Sequence, residues 1–188
     1  MPDENPSIDK TGSDAASPDP AATRETGTDE VRERVIRLAF GGDRRRYDEF
    51  IRTLRESIPP DVSVVLRGSA VTGSRWEDGA PFDADGPGTS DMDLTLIGGG
   101  MVKHFEVFYI PGLHSAPLSD AHPDASVVFV PLRRALSAVA GRPVTIQATS
   151  DLVQFLREKT MNQPYYTLIE KQDTEVEEVD DAGDPPPA

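Results

Sequence analysis

Residues 91–97 alternate between two faces without a break: Met92, Leu94 and Leu96 on one side, Asp91, Asp93 and Thr95 on the other. Successive side chains of a strand leave opposite faces, so this pattern requires a strand half-buried on a sheet. One face must meet a hydrophobic core, and the other is left to polar chemistry. Gly98-Gly99-Gly100 closes the segment. Val62-Ser63-Val64-Val65-Leu66 is short and β-branched, the composition of a second, buried strand.

Helical periodicity surrounds these strands. Residues 29–40 carry Val31, Val35, Leu38 and Ala39 at helical spacing, with Asp29 as a cap, and Gly41-Gly42 stops them. Asp43 caps a second helix striped by Tyr47, Phe50, Ile51 and Leu54, which Pro59-Pro60 ends. A short helix is expected over 69–76 and a loop rich in Gly, Pro, Asp and Ser over 77–90. Residues 102–110 read as another strand, partly polar, and 111–125 as a loop. Residues 127–130 fit either a strand or the lead-in to a helix at 131–140. Pro143 to Ala148 reads as a strand, and Ser150 caps a helix that begins at Asp151, with Leu152, Phe155 and Leu156 inward. Residues 165–169 pack the end. This order predicts an α/β or α+β domain: a small mixed sheet flanked by helices.

Charge sets the boundaries of that domain. The 188 residues carry a net charge of −14, and the acids crowd the ends. Residues 1–30 hold eight acids against Lys10 and Arg24, and residues 170–188 hold eight against Lys171. The ends thus carry −6 and −7, which leaves residues 31–169 at −1. Segments so polar cannot bury enough surface to offset chain entropy. Residues 1–29 and 170–188 are therefore expected to be disordered acidic tails around a domain at 30–169. Such tails serve as interaction arms or simply as solubilising charge. The absence of cysteine excludes disulfides, thiol catalysis and Cys-based zinc sites. No run approaches the roughly 20 apolar residues of a membrane span, and Met-Pro-Asp-Glu-Asn-Pro has no signal-peptide character. A cytoplasmic location away from membranes is expected.

The polar face of the 91–97 strand is where chemistry is expected. Asp91 and Asp93 leave one face side by side and repel each other, an arrangement that a divalent cation stabilises. Mg²⁺ takes one or two protein carboxylates and completes its shell with water and phosphate oxygens. Taken alone, Asp-x-Asp is equally a solvated strand face. Gly68-Ser69 follows the other strand directly. A glycine there admits close backbone approach, and the Ser hydroxyl with the amides after it can hold a phosphate. The same pair also suits an ordinary strand-to-helix turn.

Together the two features carry a resemblance. Leu66-Arg67-Gly68-Ser69-Ala70-Val71-Thr72-Gly73 followed by Ser90-Asp91-Met92-Asp93-Leu94 resembles the signature of the polymerase-beta-like nucleotidyltransferase superfamily. The resemblance covers residues 62–97 and otherwise extends only to element order. It implies a nucleotidyltransferase-like fold and Mg²⁺- (or Mn²⁺-) dependent transfer of a nucleoside monophosphate, from a nucleoside triphosphate such as ATP to an acceptor it does not identify: a small molecule, a protein or an RNA end. Asp91 and Asp93 would hold the metal; Gly68, Ser69 and, ahead of Arg67, Arg75 would hold the phosphates. A partner protein would supply the acceptor-binding region that many members carry as a long helical segment.

Two departures stand out. Twenty-one residues separate Ser69 from Asp91, the excess being 76–89. Closure entropy grows slowly with length, so this insertion reads as a tolerated surface loop in preference to a lid. Active members also carry a third carboxylate on a later strand, to take the acceptor's proton and share a metal. Here that strand, 143–148, offers Thr145 and Gln147 on its polar face, and Glu106 is the best substitute. Hence there are two alternatives: a catalytically degenerate nucleotide-binding module of the same fold, and an unrelated interaction protein that works through its acidic tails.

Other motifs carry less. Asp83-Ala84-Asp85-Gly86-Pro87-Gly88 opens like a calcium loop but places Leu94 where a bidentate Glu is needed. His104, His114 and His122 are too widely spaced for a zinc site and read as exposed loop residues. Gly98-Gly99-Gly100 lacks the Lys-Ser or Lys-Thr of a phosphate loop. Arg44-Arg45-Arg46, beside Asp43, Asp48 and Glu49, reads as a solvated helix face.

Overall fold

The computed structural model describes residues 20–159 and 163–172. The acidic segments 1–19 and 173–188, expected to be disordered, lie outside the described residues. In chain order the elements are α1 (Pro20–Ala39), α2 (Arg44–Ser57), β1 (Ser63–Arg67), α3 (Ser69–Thr72), β2 (Met92–Ile97), a 3₁₀ turn (Val102–His104), β3 (Phe108–Ile110), β4 (His114–Ser115), α4 (Val130–Ala140), β5 (Val144–Thr149), α5 (Leu152–Lys159) and β6 (Tyr166–Ile169). The strands form one mixed sheet in the order β3-β4-β5-β2-β1-β6. β2 and β5 run parallel, and the other neighbours are antiparallel. The expected mixed α/β class is the observed one.

The alternation in β2 fixes which face is core. Met92, Leu94 and Leu96 are fully buried, in one cluster with Val64 and Leu66 of β1, Val144 and Ile146 of β5, Phe50 and Leu54 of α2 and Leu136 of α4. α2 is capped by Asp43, whose carboxylate accepts the amides of Arg45 and Arg46 at 3.0 and 3.3 Å. Phe40 closes the joint between α1 and α2 with edge-to-face contacts to Tyr47 and Phe50 at 5.6 and 5.4 Å. Arg46 is not part of a solvated face: its Nε and a terminal nitrogen donate to Val139 O at 3.0 and 2.8 Å, which satisfies a carbonyl at the end of α4.

Several elements differ from the reading of the sequence. Residues 102–110 are not one strand. Val102–His104 coil into a 3₁₀ turn, because Met101, Val102 and Phe105 all enter the core at near-helical spacing, and only Phe108–Ile110 extends. Residues 127–130 lead into α4, with Val127 and Val128 exposed. Residues 166–169 are a sixth strand on β1. The chain stays attached beyond it: the Lys171 and Gln172 amides donate to Ser63 Oγ at 3.0 Å and Pro60 O at 2.8 Å. α1 begins at Pro20, ahead of the cap read at Asp29. His114 is fully buried on β4, its Nδ1 2.7 Å from Thr149 Oγ1 and its ring against Phe155, so it is a core residue and not an exposed loop histidine. Among the described residues no helix is long and apolar enough to cross a membrane.

Candidate functional site

The sheet face opposite the main core is polar where β1, β2 and β5 meet. Strand register lines up Arg67 with Asp93 and Asp93 with Thr145. Thr145 Oγ1 donates to Asp93 Oδ1 at 2.6 Å. One rung away, Thr95 Oγ1 accepts from Arg67 Nε at 2.9 Å and from Gln147 Nε2 at 3.2 Å. α5 covers part of this face through Phe155, whose ring lies 5.1 Å from the Arg67 guanidinium carbon.

Gly68 joins the β1 strand to this constellation. It stands at φ +76°, ψ −160°, a region essentially reserved for glycine. A Cβ on it would lie 2.7 Å from Asp93 Oδ2. The absent side chain is what lets the carboxylate pass against the backbone. Gly68 O then accepts the amides of Val71 and Thr72, and Gly73 at φ +87° ends the single turn of α3. Arg34 of α1 donates to Val71 O at 2.8 Å and fixes that turn from behind.

Asp91 and Asp93 separate two cavities. One, of about 350 Å³, is lined by Gly68, Ser69, Arg75 and Trp76; the other, of about 610 Å³, by Arg67, Tyr109, His122, Phe155 and Lys159. Both carboxylates line both cavities, as does Glu77. Burial and the neighbouring Asp93 charge hold the Asp91 carboxyl well above the usual carboxylate range, against the pull of Arg67. Burial lowers the proton affinity of Arg67 while Asp93, Tyr109 and Asp91 oppose that shift.

Among the described residues no group of three or more His, Asp or Glu side chains is placed to hold a metal ion. The donor set is two carboxylates, Asp91 and Asp93, half-buried and mutually repelling. That set matches what a Mg²⁺ ion takes from protein, and a divalent charge between them removes the repulsion.

Five of the six residues singled out in the sequence therefore meet around the smaller cavity: Gly68, Ser69, Arg75, Asp91 and Asp93. Glu106 does not join them. It is exposed just before β3, its amide donating to Ala125 O at 2.8 Å, three strands from β2 and outside both cavities. The 3₁₀ turn at Val102–His104 is the physical reason, since it breaks the strand on which Glu106 was read. Arg75 is already engaged, with Asp85 at 2.7 Å and Asp78 at 3.4 Å. Glu77, Lys159 and Tyr109 had no periodic or motif signal in the sequence, because a loop, a helix end and a sheet edge bring them in.

The insertion is a folded part of the site. Ser74 and Pro81 bridge, and the Arg75 and Phe82 amides close onto Ala80 O and Gly73 O. Asp83 is its centre, at φ +59°, a backbone region that Asp tolerates better than most residues. Its carboxylate accepts from the Gly88 and Ser90 amides at 3.0 and 2.9 Å and from Arg142 at 2.9 and 3.2 Å. Burial alone would raise this carboxyl; Arg142 and the two amides outweigh it and hold it at about 2, against an ordinary 3.8. A depressed folded-state value means stability present above the unfolded value and lost as pH falls through the folded one. The Asp83 contribution, about 1–2 kcal/mol, is thus expected to be full above about pH 5 and gone near about pH 1. Urea midpoints of wild type and Asp83→Asn across that range check it: the gap between them closes on acidification, and a constant gap refutes the assignment.

No protein-family model matches the chain, and no curated protein or solved structure matches it either.

Proposed function

We propose that this chain is a nucleotidyltransferase-like protein that transfers a nucleoside monophosphate from a nucleoside triphosphate, with Mg²⁺ or Mn²⁺, to a hydroxyl acceptor. The observation that carries the reading is the junction of Gly68 with Asp93, where a glycine-only backbone and a carboxylate pair bound the same cavity. Had Ser69 and the Asp pair stood on opposite sides of the core, the reading would have had no site. Ser69 and its neighbours hold the triphosphate on the smaller-cavity side. Asp91 and Asp93 hold the metal, which when bound neutralises charge building up on the phosphates. The acceptor oxygen attacks the α-phosphorus, the bond to pyrophosphate breaks, and the hydroxyl proton passes to a carboxylate. Glu77, an exposed residue that lines both cavities, is the acid we assign to that proton.

The test is incubation with each labelled triphosphate, metal and cell lysate, with label transfer and pyrophosphate as readouts. Asp91→Asn/Asp93→Asn is expected to lower both by roughly 10³-fold or more, and Glu77→Gln by about 10²-fold. Equal activity in wild type and the double variant, for all four nucleotides, refutes the reading.

One observation favours a second reading, a nucleotide-binding module without transfer: Thr145 stands beside Asp93, on the strand where the resemblance calls for a third acid, and donates a hydrogen bond to it. That reading predicts a thermal shift with triphosphate and metal that disappears in the double variant, with no pyrophosphate formed by wild type.

A further inference from the structure

The larger cavity holds a buried cation that feels the charges of Asp93 and Asp91 but makes no ion pair among the described residues. Arg67 is 8% exposed and lines the cavity wall. Its one side-chain hydrogen bond among the described residues runs from Nε to Thr95 Oγ1, and Phe155 lies against the guanidinium. Among the described residues it makes no ion pair, in contrast to Arg133 on the same wall, which is spent on Asp120 and Val144 O, and to Arg75 across the carboxylates, which is spent on Asp85. The terminal guanidinium nitrogens have no acceptor among the described residues, and Arg67 lines the cavity. An arginine so desolvated, with both terminal nitrogens unused among the described residues, is arranged for a carboxylate or phosphate. At the rim Lys159 lies over the half-exposed Tyr109 ring at 5.0 Å, a second cation without a carboxylate partner among the described residues.

Position decides on which side of the carboxylate pair the anion would lie. The triphosphate reading places the nucleotide's phosphates on the Gly68-Ser69 side of Asp91 and Asp93, whereas Arg67 and Lys159 lie on the other side, in the larger cavity. A molecule there would approach the α-phosphorus from the side opposite the leaving pyrophosphate, as in-line transfer demands.

We propose that the larger cavity is the acceptor subsite and that it selects a small hydroxyl-bearing acceptor with an anionic group, carboxylate or phosphate, bound by Arg67 and Lys159. The assignment of this molecule as acceptor rests on the transferase reading; the anion site does not. The two are separable in a thermal-shift experiment on the full chain with Mg²⁺ present. The probes are glycerol 3-phosphate, glycerate and glycerol, each at about 10 mM, and Mg-ATP.

The expected result is a rise of about 2 °C or more with one or both anionic probes and none with glycerol. The rise is lost in Arg67→Gln and reduced in Lys159→Gln. It is kept in Arg157→Gln, which removes an exposed charge from the same helix, and in Asp91→Asn/Asp93→Asn. The stronger of the two anionic probes distinguishes phosphate from carboxylate. Lys159 is exposed, so its variant tests the site even if Arg67→Gln fails to fold. No rise with either anionic probe, an equal rise with glycerol, or unchanged rises in both the Arg67 and Lys159 variants overturns the site. Loss of the Mg-ATP shift in a folded Arg67→Gln overturns the acceptor assignment, because Arg67 would then read the nucleotide. An anionic-probe shift with no Mg-ATP shift in wild type leaves the anion site standing and removes the transferase reading.

Discussion

Gly68→Ala is expected to lower the proposed transferase activity by about 10²-fold or more while leaving most of the fold intact. Two costs combine. The backbone conformation at φ +76°, ψ −160° is strained for any residue with a Cβ, by about 1–3 kcal/mol. The new methyl would also stand 2.7 Å from Asp93 Oδ2, so the carboxylate must turn away. It cannot turn freely, because Thr145 holds its other oxygen at 2.6 Å. The variant therefore trades backbone strain for a misplaced carboxylate, and a misplacement of about 1 Å in a reacting group lowers rate by about 10²-fold. Pyrophosphate release should fall at least that far, with a thermal midpoint lower by about 3–8 °C. The comparison that makes this specific is Gly99→Ala, where a Cβ meets nothing within 4 Å: it should leave activity unchanged. Wild-type turnover by Gly68→Ala would mean that Asp93 does not act where it stands.

The largest loss of stability is expected from Arg142→Ala. The Arg142 side chain is 8% exposed and ties three parts of the chain together. It donates to Ala39 O and Leu38 O at the end of α1, to Ser90 O immediately before Asp91, and to both oxygens of Asp83. Its guanidinium also lies 4.5 Å from the Phe82 ring. Truncation leaves a part-buried carboxylate and several carbonyls without their donor, at a cost of about 3–5 kcal/mol. For a chain of this size that is roughly 10 °C in thermal midpoint. Arg142→Lys should recover little, since one ammonium cannot replace a fork of five donors. The insertion should also become sensitive to protease between residues 76 and 89, ahead of global unfolding. A loss below about 1 kcal/mol would show that the insertion folds without this residue.

These two residues divide along what could be read in advance. Gly68 was legible because a strand end, a glycine and a serine make a local pattern, and local geometry dictated the glycine. Arg142 was not. Nothing in Gly141-Arg142-Pro143 says that its side chain reaches residue 83 and residue 39, because these contacts span 59 and 103 positions. The same reason explains the insertion, whose Gly, Pro, Asp and Ser content describes any loop, folded or not. It explains Glu106 as well. Residues 102–110 have no clean period, and the burial of Met101, Val102 and Phe105, a tertiary demand, turned the start of that segment into a helical turn. His114 looked like one of three loop histidines until β4 carried it beneath Phe155.

The sequence by itself determined the strand with two unlike faces. The alternation of Met92, Leu94 and Leu96 with Asp91, Asp93 and Thr95 dictates which side is core and which side is polar, because side-chain direction in a strand depends only on position. Only the tertiary structure decided what stands around those carboxylates. β-sheet order put Arg67 and Thr145 on either side of Asp93, and the fold of residues 74–90 brought in Glu77. α5 and the sheet edge enclosed the second cavity with Lys159 and Tyr109. Pairing between distant strands and the closure of long loops depend on the whole balance of packing and chain entropy, which no short stretch of residues contains.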